Sequence, residues 1–88
     1  MTTGTLKPLG KMTKMEAYAE ADRLGAGFVA NVILNWHGRP FAKLIGLIAL
    51  LRAGHEVRTA QFDLGTLVID GERADWSALE KAAEEATA

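Results

Sequence analysis

The residues best suited to chemistry sit in one turn and the first turn of the helix after it: His37-Gly38-Arg39-Pro40, then Lys43. A helix N-terminus offers unpaired amides and the positive end of the helix dipole. Two cations and an imidazole beside it suit a phosphate or a carboxylate. His37, Arg39 and Lys43 are therefore the candidate anion or partner contacts. The plainer reading of the same residues is a polar turn that keeps the end of an apolar helix wet.

Other chemistry is sparse. His37 and His55 are the two histidines, there is no cysteine, and no H-E-x-x-H or similar spacing occurs, so no metal site is expected. A Ser-His-acid arrangement would have to use Ser77, the sole serine, which already reads as a helix cap. Gly25-Ala26-Gly27-Phe28-Val29-Ala30 matches the string of a dinucleotide fingerprint. That mechanism needs a strand before the glycines and an acid about twenty residues on. Here a helical pattern precedes them, and no acid lies between Asp22 and Glu56, so no cofactor is expected. Asp63, Asp70, Glu72 and Asp75 lie on or beside turns, where aspartate before glycine is turn chemistry rather than acid–base catalysis. No catalytic residue is assigned.

The larger signal is apolar. Phe28, Val32 and Trp36 recur at spacing four, and Trp76 stands at another element boundary. A large aromatic left exposed is a candidate hot spot for a partner. These four are the candidate interface residues.

These groups must be positioned by a single domain of 88 residues, 49% hydrophobic and 24% charged, which reads as globular. The lack of cysteine excludes a disulfide scaffold or zinc finger and suits a cytoplasmic setting. The longest uncharged run, Leu24 to His37, contains two asparagines and falls short of the roughly 20 apolar residues that span a bilayer, so no membrane is expected. Charge is uneven. Residues 23–55 carry Arg23, Arg39, Lys43 and Arg52 and no acid, whereas residues 56–88 carry eight acids against Arg58, Arg73 and Lys81. Either the two segments neutralise each other within the fold, or they present a dipolar surface to a charged partner.

Residues 1–12 read as an arm and 13–88 as the domain. Thr13 and Glu16 form a capping box, and a helix runs to Leu24 with Met15, Tyr18, Ala21 or Ala19, and Leu24 on its apolar side and Glu16, Glu20 and Arg23 on its wet side. Gly25 and Gly27 either break it or let it pack closely. A second helix spans Phe28–Trp36. Pro40 opens a third, central helix at 40–53 that is apolar almost all round, hence buried, and Gly54 stops it. A hairpin follows, with strands His55–Phe62 and Thr66–Asp70, a turn at Asp63-Leu64-Gly65, and Val57, Phe62, Leu67 and Ile69 facing the helix. Asp70-Gly71 leads either to a third strand over Glu72–Trp76 or straight to a last helix. That helix opens on a Ser77–Glu80 capping box and carries an Ala82/Ala83/Ala86 stripe.

The fold expected is a small α+β domain in the order α-α-α-β-β-α. Three helices and then a hairpin look like a winged-helix domain with Arg58 to Asp70 as wing. Yet a DNA reader exposes a basic helix where this chain has its most apolar one. The leading functional expectation is a non-enzymatic protein-binding domain, an adaptor, inhibitor or assembly factor that self-associates as a homodimer. The alternatives are a winged-helix-like nucleic-acid-binding or DNA-mimicking regulator, and a small anion-binding module or enzyme using the His37–Lys43 turn.

Overall fold

A computed structural model describes residues 11–87. The elements are α1 (Lys14–Arg23), α2 (Gly27–Trp36), α3 (Pro40–Arg52), β1 (Val57–Ala60), β2 (Asp63–Ile69), β3 (Glu72–Ala74) and α4 (Ser77–Thr87). This is the expected α+β order with one short strand, β3, before the last helix. Residues 1–10 of the expected arm lie outside the described residues, while Met12 is buried in the core.

The helix ends follow from local chemistry. Thr13 Oγ1 accepts from the Glu16 amide at 3.2 Å, and Glu16 Oε1 accepts from the Thr13 amide at 2.9 Å, which completes the capping box. At the other end of α1, Gly25 (φ +90°) breaks the helix. The Ala26 amide reaches back to the Ala21 carbonyl and the Gly25 amide to that of Asp22. Gly54 (φ +96°) stops α3 in the same way, with His55 bonding Leu50 and Gly54 bonding Leu51.

The central helix is buried as expected. Every residue from Lys43 to Ile48 is buried, and Leu44, Leu47 and Ile48 are fully enclosed. Helices α1, α2, α4 and strand β1 surround it. The closest contact is with α4: a Cβ at Gly46 would overlap the carbonyl oxygen of Leu79. Leu79 and Ala83 bury their side chains there, whereas Ala86, the last of the alanine stripe, stays exposed.

The sheet is antiparallel in the order β1-β2-β3. Asp70 (φ +53°) and Gly71 (φ +84°) form the tight β2–β3 turn, with both residues left-handed as a primed two-residue turn requires. The β1–β2 end differs from expectation. Val57, Arg58 and Thr59 pair with Ile69, Val68 and Leu67, but Ala60 pairs with Asp63. The chain therefore turns at Gln61-Phe62, and Leu64-Gly65-Thr66 form a bulge inside β2. Asp63 sets this up: Oδ1 accepts from the Gly65 amide (3.1 Å) and Oδ2 from the Thr66 hydroxyl (2.7 Å). These bonds satisfy locally what a ladder would otherwise pair. Val57 and Leu67 face the core as expected, whereas Phe62 at the tip is 93% exposed.

The α1 face also differs. Ala17, Ala21 and Glu20 are buried and Met15 is 80% exposed. Alanines let α1 lie close on the central helix, and Glu20 is tolerated because two guanidinium groups hold it. Arg23 donates to Oε1 and Oε2 at 2.8 Å each, and Arg52, at the end of α3, donates to Oε2 at 2.9 Å. The Arg23 bonds, reinforced by Arg52 and opposed by burial, pull the Glu20 pKa from 4.5 to about 2. A carboxyl lowered in this way stabilises the fold above pH 4.5, and that stability is lost as pH falls toward 2. Glu20→Gln is expected to cost about 1–3 kcal/mol at neutral pH, because the two arginines lose a charged hydrogen-bond acceptor but remain partly solvated. It should also flatten the pH dependence of the urea midpoint between pH 4.5 and 2, measured against the unsubstituted protein.

Candidate functional site

The His37–Lys43 turn comes together as a cluster, and α4 contributes the group that completes it. Arg39 Nη1 donates to Glu80 Oε1 at 3.0 Å, and Lys43 Nζ donates to Glu80 Oε2 at 3.0 Å and to the Gly38 carbonyl. The Lys43 side chain is 8% exposed and that of Arg39 79%. The Lys43 bond, aided by the charge of Arg39, holds the Glu80 pKa below its usual range. The carboxylate that the cationic turn was expected to attract is thus the protein's own. The expected Ser77–Glu80 capping box does not form for the same reason: Glu80 reaches across to α3, and α4 begins on the Asp75 and Trp76 carbonyls, which accept from Ala78 and Leu79. Arg39, immediately before Pro40, is left-handed at φ +52°, a backbone state unusual for a non-glycine residue and costing about 1–3 kcal/mol. The Glu80 contact helps to hold it there.

The basic segment is neutralised from two sides, by Glu80 of the acidic segment and by Glu20, which lies outside both. All four cations of residues 23–55 bond a carboxylate: Arg23 and Arg52 take Glu20, and Arg39 and Lys43 take Glu80. His55, the second histidine, places Nδ1 2.6 Å from Asp70 Oδ2, while Asp70 Oδ1 accepts from the Glu56 amide at 2.9 Å. Those two bonds, the Glu56 amide first, lower the Asp70 pKa and tie the end of α3 to the β2–β3 turn. Among the described residues no group of three His, Asp or Glu side chains is placed to hold a metal ion. No helix among them is long and apolar enough to cross a membrane.

The candidate interface residues separate. Trp76 is half-buried: its indole Nε1 donates to the Gly65 carbonyl at 2.9 Å, and the His37 ring lies 4.1 Å from its ring at a 35° tilt. This tryptophan pins the bulge of β2 to the start of α4. Phe28, Val32 and Trp36 instead line a groove of about 480 Å³ with Asn31, Asn35, His37, Leu64 and Gly65. Val32 forms part of its floor, 9% exposed, whereas Phe28 is 56%, Leu64 51% and Trp36 79% exposed. Phe62 adds a further apolar side chain at the tip of the same hairpin. Leu64 and Phe62 had no signal as surface groups, because a bulge that turns Leu64 outward is not visible in an alternating pattern. A second depression of about 290 Å³ lies between α3 and α4, lined by Arg39, Phe41, Ala42, Ile45, Glu80, Ala83, Glu84 and Thr87.

No protein-family model, curated protein or solved structure matches this chain.

The environment of His37 has a measurable consequence. Burial, with a smaller push from the nearby Lys43 charge, lowers its pKa below the ordinary 6.5. The unfolded chain therefore binds a proton just below pH 6.5 that the folded protein does not, and stability falls as pH drops through that value. The loss in urea midpoint between pH 7.5 and 5.5 should be smaller in His37→Gln than in the unsubstituted protein. Equal losses would remove His37 from the account.

Proposed function

We propose that this chain is a protein-binding domain that acts through the α2–hairpin face and associates with itself there, in the role of an adaptor, inhibitor or assembly factor rather than a catalyst. One observation carries the reading. Phe28, Trp36 and Leu64, all lining the α2 groove, are each more than half exposed, and they make up half of the six large apolar side chains that the described residues leave exposed. An apolar patch of this extent on a small domain usually marks an interface. The internal pairing of all four cations of residues 23–55 favours an apolar partner over a polyanion. The absence of cysteine suits work in the cytoplasm.

Sedimentation equilibrium at tens of micromolar tests the reading. The expected result is twice the chain mass. Trp36→Glu should give the monomer mass while keeping the folded far-ultraviolet circular dichroism spectrum, because Trp36 stands mostly in solvent. A monomer in the unsubstituted protein would overturn self-association.

A further inference from the structure

We infer that the occupant of the α2 groove is the α2 helix of a second copy, running antiparallel about a two-fold axis near Val32 and Ile33. This rests on the self-association just proposed and specifies its geometry.

The α2 residues that line the groove are Phe28, Asn31, Val32, Asn35 and Trp36. They fall at i, i+3, i+4, i+7 and i+8, the stripe that one helix shows to another. Read in either direction the stripe is aromatic, asparagine, valine, asparagine, aromatic. A two-fold contact requires that where residue i meets j, j also meets i. An antiparallel pair then sets Phe28 against the partner's Trp36 and Asn31 against the partner's Asn35, at both ends of the contact. Aromatic pairs of this kind pack edge-to-face or offset.

The asparagines fix the direction. Asn35 Nδ2 donates to Asn31 Oδ1 at 2.7 Å and to the Asn31 carbonyl at 3.0 Å, which uses both of its protons. Asn31 keeps a donating amide nitrogen and Asn35 keeps an accepting oxygen. In the antiparallel pair, each spare donor faces the other copy's spare acceptor. In a parallel pair, donor would face donor and acceptor would face acceptor. The stripe carries no ionisable side chain, so no charge is brought against its own copy. The size is also sufficient. Phe28 and Trp36 at their observed exposures present roughly 200–350 Å². With Leu64 and the asparagines added, two copies would bury on the order of 1,000 Å², the threshold of a specific interface.

Because the chain has no cysteine, disulfide trapping reads the geometry directly. Asn31→Cys and Asn35→Cys are made separately, one carrying a size tag, and each is checked for the dimer mass. Each is then oxidised with copper–phenanthroline alone and as a mixture. Phe28→Cys and Trp36→Cys form a second such pair. The expected result is cross-linking in the two mixtures, with Phe28→Cys and Trp36→Cys alone staying uncross-linked. At 1.5 Å per residue the antiparallel pair separates each of those positions from its own copy by roughly 10 Å or more along the axis, beyond disulfide reach. Cross-linking of Phe28→Cys and Trp36→Cys each to its own kind would overturn the antiparallel arrangement. A dimer mass with no cross-link in either mixture would place the interface elsewhere and overturn the inference while leaving self-association intact. A monomer mass for the unsubstituted protein would overturn both.

Discussion

The contact on which the rest depends is the approach of α4 to α3 at Gly46. There the backbone of one helix meets the Leu79 carbonyl of the other with no room for a Cβ. Close approach brings Leu79 and Ala83 into the core and closes the central helix on that side. It also carries Glu80 across the start of α3, where its carboxylate bonds Arg39 and Lys43. A buried lysine is costly unless it is paired. Lys43 is buried where it is because α4 supplies the partner.

With α4 committed to α3, little remains to cover α2. Its inner side, Val29, Ala30 and Ile33, is buried against the core, but the groove along the stripe from Phe28 to Trp36 is bordered by little else than the β2 bulge at Leu64 and Gly65. The bulge in β2 turns Leu64 over this stripe without closing it, and Trp76 holds the bulge in place through the Gly65 carbonyl. The fold thus uses its last helix to shield a charged helix start and leaves an uncharged helix face open. That allocation is the physical basis for reading α2 as the working surface.

Much of this was legible in the sequence because it is local. Thr13 with Glu16, Pro40, Gly54 and Asp70-Gly71 each fix a boundary through backbone chemistry confined to a few residues, and each acts as its spacing suggests, whereas spacing left open whether Gly25 would break α1. The apolar circumference of residues 44–51 likewise required a buried helix. What could not be read depends on which element lies opposite. Glu20 looked like a wet-face acid because its principal distant partner, Arg52, is 32 residues away. Glu80 looked like a capping residue because Arg39 and Lys43 meet it across the fold. Met15 and Phe62 were expected to face the core, but Ala17 and Ala21 give α1 a closer fit, and the Asp63 hydrogen bonds shift the hairpin turn outward. Among the candidate residues, spacing alone placed Phe28, Val32 and Trp36 on one side of α2, where they line one groove, whereas Trp76 is a strut between β2 and α4. The internal anion of the His37–Lys43 turn had no signal in residues 37–43 at all.

The arrangement stands or falls on Gly46. In an exposed helix interior, Gly→Ala stabilises by about 1 kcal/mol through helix propensity. The Gly46→Ala substitution in α3, followed by urea denaturation, therefore separates two outcomes of opposite sign. Close packing of α4 on α3 predicts a net loss of about 2–3 kcal/mol, because the new methyl must push the Leu79 backbone away and open the core. A midpoint that is unchanged or raised would contradict that packing, and with it the reason α2 is left uncovered.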